Sequence, residues 1–175
     1  MQLTARPAAL VAGTLFAATA AIDIPHIQGQ PFAGPLDYTL EAVFAGALWS
    51  AALALFLLSR AATGRGRRVA WRVPAVSCAL VGTAATATLV AGQDVLGPVF
   101  MLGLLLVLGG YLVLAVLDLR RRLTPRFTGI ALAAGTIGML ALGDGVGTLA
   151  WAAAWFGVAA LLQPAGSRAA EPAAA

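Results

Sequence analysis

The chain has no lysine, one cysteine, one histidine and few charges of any kind, and each shortage narrows what it can be. Only 10% of its 175 residues are charged, against about 25% in ordinary soluble domains, while 61% are apolar. Its mean hydropathy is +0.90. This composition excludes an ordinary soluble domain and reads as an integral membrane protein. No polar stretch is long enough for a second domain. The lone thiol, Cys78, excludes an internal disulfide, a paired redox motif and a zinc thiolate cluster; it falls in an apolar run and reads as a buried structural residue. A single imidazole, His26, excludes bis-histidine haem ligation within one chain. HExxH and EF-hand patterns are missing, so no cofactor is expected and any metal is left undetermined. The "GDGVG" at 143–147 has neither the preceding strand nor the following lysine of a phosphate loop.

What the chain does have is long apolar windows. A membrane-spanning helix needs about 17–25 such residues, and six windows qualify: 8–24, 36–58, 74–91, 98–117, 125–142 and 145–162. Runs such as "MLGLLLVLGGYLVLAVL" do not alternate, which excludes a β-barrel. The expected fold is therefore an all-α integral membrane protein. It is a compact bundle of six transmembrane helices, built as three helical hairpins over 1–163, with 164–175 as a short disordered cytoplasmic tail. Pro7, Pro35, Pro74, Pro98 and Pro125 mark expected helix starts, where a missing N–H costs nothing. Thr124 and Asp144 are expected caps, and Pro164 an expected stop. The N-terminal "MQLTAR" and its apolar run also resemble a signal peptide with a cleavage point near Ala20; an uncleaved first span is the expectation.

Charge fixes the expected orientation. All eleven basic residues are arginine. Arg6 precedes the first window; Arg60, Arg65, Arg67, Arg68 and Arg72 separate the second and third; Arg120, Arg121, Arg122 and Arg126 separate the fourth and fifth; Arg168 follows the sixth. In a serpentine all lie on one side, so the positive-inside rule makes both termini cytoplasmic. The two internal clusters read as topology anchors that also attract anionic lipid headgroups, with Trp71 as an interfacial aromatic. Nucleic acid is not an expected partner. Alanine, glycine, proline and arginine usage without lysine suggests a GC-rich bacterial genome, hence the bacterial cytoplasmic (inner) membrane.

The opposite side holds Asp23, His26, Asp37, Glu41, Asp94 and Asp144. Glu41 lies 19 residues from Arg60, about 28 Å along a helix, and Asp23 lies 17 residues from Arg6, about 26 Å. Both fall near the outer edge of a core about 30 Å thick. Asp37 and Glu41, spaced i, i+4, share a helix face. Asp23, His26, Asp37 and Glu41 are the candidate ligand residues, able in principle to hold a cation, carry a proton or seat a polar molecule. In the plain reading of the same residues, Asp37 serves the helix dipole and the others are loop charges. Glu41 is the least well explained in that way, because it begins a continuous apolar run.

Three functions follow. The leading one is a binding or transport-like membrane protein with an acidic external pocket for a cation, proton or small polar ligand. The second is a non-catalytic subunit or scaffold, a homo-oligomer or the partner of another membrane protein, assembling through small-residue helix faces. The third is an intramembrane lipid- or isoprenoid-modifying enzyme with Glu41 and His26 as an acid–base pair. A recurring Gly-Thr pair (Gly13-Thr14, Gly82-Thr83, Gly135-Thr136), each followed by an acid, reads mainly as helix-packing surface.

Overall fold

The computed structural model describes residues 2–25, 34–121, 123, 125–143 and 145–162. They form six helices: α1 (Gln2–Asp23), α2 (Pro35–Ala61), α3 (Arg65–Ala91), α4 (Gly97–Leu119), α5 (Thr128–Leu142) and α6 (Val146–Leu161). No strand occurs among the described residues. The segment expected to be a tail lies outside them, as do His26, Arg122, Thr124, Asp144, Pro164 and Arg168.

Each helix packs on its neighbours in sequence, and α1 packs on α6, so the six close into a ring. Close approaches give the direction of each pair. Gly103 faces Val81 while Gly110 faces Pro74; Gly135 faces Ala154 while Gly147 faces Met139; Gly13 faces Phe156 while Gly145 faces Asp23 and Ile24. Rising numbers on one helix meet falling numbers on the next, so these pairs are antiparallel. One end of the ring therefore carries the described arginines, and the other carries Asp23, Asp37, Glu41 and Asp94.

Four helices are long and apolar enough to cross a membrane: Thr4–Asp23, Pro35–Ala61, Arg65–Ala91 and Gly97–Leu119. The expected fifth and sixth spans are shorter than the sequence suggests. At 15 and 16 residues, α5 and α6 extend about 22 and 24 Å, below the roughly 30 Å of a hydrocarbon core. The cause lies at the start of α5. Pro125 sits in the turn, Phe127 takes a left-handed backbone with φ of 67°, and the helix begins only at Thr128.

The proline signal is right at Pro35 and Pro98, which occupy first-turn positions. It is wrong at Pro7 and Pro74, which lie inside helices. α3 begins nine residues earlier than expected, after Gly64 at φ 88°, so Arg65, Arg67, Arg68 and Arg72 are helical and not in a loop. Trp71, expected at an interface, is 1% exposed, because the early start of α3 carries it into the bundle.

Aromatic rings tie the helices together at the acidic half. Trp151 of α6 meets Phe16 of α1 at 4.9 Å, Phe16 meets Phe44 of α2 at 6.1 Å, and Phe44 meets Phe100 of α4 at 6.2 Å. Trp155, Tyr111 and Trp71 fill the core as well. Cys78 is buried as expected, with its Sγ 3.4 Å from the Tyr111 hydroxyl.

Candidate functional site

At the acidic end the three described candidate residues have different surroundings. Asp37, in the first turn of α2, accepts the Gly34 N–H through Oδ2 at 3.0 Å, and its own N–H donates to the Gly34 carbonyl at 3.1 Å. This is a local cap that satisfies a free N–H and sets a negative charge at a helix N-terminus. Asp23 closes α1 on the α1–α6 seam, half-buried beside Gly145. His26 lies outside the described residues. Glu41 is half-buried in the second turn of α2; burial is the main influence on its carboxylate, and the charge of Asp94, from the turn between α3 and α4, is the lesser one.

The Glu41–Asp94 pairing joins residues 53 positions apart in the chain. It follows from the antiparallel contact of α2 and α3, whose outer ends meet where Tyr38 Oη lies against Gly92. Gly92 ends α3 in a left-handed conformation at φ 65°. That αL stop, open to glycine because it has no Cβ, turns the chain into the connection that carries the exposed Asp94, whose carboxylate lies against Gly97 at the start of α4. Among the described residues, no three histidine, cysteine, aspartate or glutamate side chains come together as a metal site.

The glycines of the recurring Gly-Thr pairs are spent on packing inside the bundle. Gly13 meets the Phe156 ring, Gly82 meets Trp49 and Leu48, and Gly135 meets Ala154. The threonines differ. Thr83 bonds only to the carbonyl of its own helix at Ala79, whereas the buried Thr136 also accepts the Trp151 indole N–H at 2.8 Å. Trp151 and Trp155 are both buried and therefore core, not lipid-facing.

The arginine end has a different character. Arg60 places its guanidinium 5.0 Å over the Phe56 ring. Between α3 and α4 runs an outward-facing groove of two adjoining chambers, about 710 and 490 Å³, with Arg67 and Arg121 on its rim. A smaller hollow of about 290 Å³ lies between α2 and α3, lined by Trp49, Phe56 and Val76. Glu41 lines none of these three cavities. Sequence reading registered the arginines as topology anchors that attract anionic lipid headgroups, without a groove between them. The one signal that could have exposed the groove was the glycine content of the two helices.

The chain matches no family model, no curated protein and no solved structure.

Proposed function

We propose that this is a multi-pass membrane protein that binds a cation or proton at its acidic end, through Glu41 and Asp94. The supporting observation is the position of Glu41: a half-buried carboxylate in an apolar helix, at the end of the bundle that also carries the exposed Asp94. A charge near the edge of the hydrocarbon is costly unless it faces water, a partner or the bundle interior. Carboxylates at the same end of the bundle repel one another, and an added positive charge relieves that repulsion.

In this reading all six helices cross the bilayer in a serpentine, the arginine end is cytoplasmic, and the membrane is the bacterial inner one. The short α5 and α6 are accommodated by local thinning of the lipid on that side of the ring. Binding is favoured over catalysis because, among the described residues, the three grooves lie away from Glu41 and none seats a lipid substrate beside it. Ligand-dependent thermal unfolding of the purified protein tests the proposal. A bound cation at about one hundred times its Kd adds about 2.7 kcal/mol, which raises Tm by several degrees in a chain of this size. Glu41→Gln and Asp94→Asn should each abolish the shift. A shift that survives both substitutions, or no shift with protons or mono- and divalent cations, rejects the site.

A further inference from the structure

The groove between α3 and α4 is built from absences. Adding a Cβ at Gly66 or Gly109 would meet nothing within 4 Å, so these glycines leave open space and are not forced by close packing. Gly110, by contrast, lies against Pro74, with 2.9 Å between its added Cβ and the proline ring. That contact draws the two helices together on one side, and the missing side chains at 66 and 109 hollow the other. The two chambers share Gly66, Ala70 and Val113, so they form one continuous channel along the helix pair. Val73, Leu105 and Leu106 line it and are exposed, so the channel opens away from the bundle core.

Its two ends differ chemically. The inner reach, toward Leu105, is apolar. The outer end carries Arg67 of α3 and Arg121 at the close of α4. Arg121 has φ of 53°, a backbone that few non-glycine residues adopt, and its N–H turns back to the Asp118 carbonyl at 2.8 Å. Both arginines are exposed, and neither is ion-paired among the described residues. The nearby carboxylate of Asp118 is turned instead to the start of α5. Leu119, where α4 ends two residues before Arg121, lies 14 residues beyond Leu105, about 21 Å at helical rise. Half a bilayer with its headgroup region is about 20–22 Å thick, so the groove is long enough to run from headgroup level toward the bilayer centre.

We infer that the α3–α4 groove is a binding site for an anionic glycerophospholipid of the leaflet at the arginine end, its phosphate held by Arg67 and Arg121 and an acyl chain lying over Gly66 and Gly109. This rests on the transmembrane reading above but not on the acidic pair. Guanidinium groups pair with phosphate through two parallel hydrogen bonds. Two unpaired cations with no acid on the rim complement a net negative headgroup better than a zwitterion whose amine needs its own partner. Each chamber falls within the roughly 300–1,000 Å³ range of small-molecule sites.

Native mass spectrometry of the full chain, purified in a non-ionic detergent, tests the site with phosphatidylglycerol and phosphatidylcholine of the same acyl chains. The wild type should retain phosphatidylglycerol at least tenfold over phosphatidylcholine. Arg67→Gln with Arg121→Gln should erase that preference, whereas Arg65→Gln with Arg68→Gln, an equal loss of charge off the groove, should keep it. Gly109→Leu should fill the channel and expel the lipid, and Gly66→Leu repeats the test at the second open position. Equal losses in the two arginine pairs would mean diffuse attraction and overturn the site. Retention in both leucine variants would overturn the seat of the acyl chain. Displacement by glycerol phosphate would mark a free-phosphate site, and a protein helix retained in place of lipid would mark a partner interface; either rejects the lipid. Recovery of the chain from the soluble fraction without detergent would instead reject the membrane reading, a separate result.

Discussion

Asp118, in the last turn of α4, caps the start of α5 at Gly129: its Oδ2 accepts the backbone N–H groups of Gly129 and Ile130, the latter at 3.1 Å. The first N–H groups of a helix have no partner within it, and here a neighbouring helix supplies one. Gly129 is required for the contact, since a Cβ there would collide with the Leu114 backbone of α4.

Removing this cap should loosen one end of the ring. Asp118→Ala leaves two buried donors without partners, at about 1–3 kcal/mol each, and should lower Tm and speed amide exchange in the first turn of α5. Asp118→Asn keeps an acceptor oxygen and should cost less. Gly129→Ala should be as harmful as Asp118→Ala, because it separates the same helices. Normal exchange at α5 in Asp118→Ala would show that the cap does not hold the helix start.

A second tie lies on the next seam of the ring, between α5 and α6, where Trp151 donates to Thr136. Interhelical hydrogen bonds in membrane proteins contribute about 0.6 kcal/mol on average and up to about 1.7. Thr136→Val is expected to cost about 1 kcal/mol or more, because it strands a buried indole N–H. Thr136→Ser should be close to neutral. Calorimetry or thermal unfolding in detergent compares the two, and equal effects would assign the loss to packing alone.

Glycine-to-alanine changes should separate by the space around each position. Gly109→Ala meets nothing and adds helix propensity, about 0.5–1 kcal/mol in favour of the fold. Gly147→Ala drives a methyl into the Met139 backbone, and Gly110→Ala into Pro74; overpacking of this kind costs about 1–3 kcal/mol. Unfolding of the three variants in parallel would check the order.

The helical class, the number of helices and the separation of charge were legible because they depend on where apolar runs stop and which charges flank them. Helix starts were less so. Proline is favoured in a first turn on average, but Pro74 is carried inside α3 by a helix that begins after Gly64, and Pro125 stays in a turn because Phe127 reverses the backbone before Thr128. Of the two readings of Asp37, candidate ligand and residue serving its own helix start, the second agrees with its bond to the Gly34 N–H, a local property. The influence of Asp94 on Glu41 was not legible: it depends on how far α2 and α3 slide past each other, which is decided by contacts such as Gly82 on Trp49 and Gly92 on Tyr38. The cap from Asp118 to α5 is hidden for the same reason, since a carboxylate among arginines suggests an ion pair before it suggests a helix terminus.

The central claim, a serpentine crossing with the arginines inside, is tested most directly by labelling thiols in intact cells with a membrane-impermeant maleimide. In a Cys78→Ala background, Gln93→Cys marks the acidic end and Thr63→Cys the arginine end, both at exposed positions in turns. Gln93→Cys is expected to label in intact cells, and Thr63→Cys only after the membrane is opened. Labelling of Thr63→Cys in intact cells, with Gln93→Cys protected, would contradict the orientation and with it the external placement of the Glu41–Asp94 site.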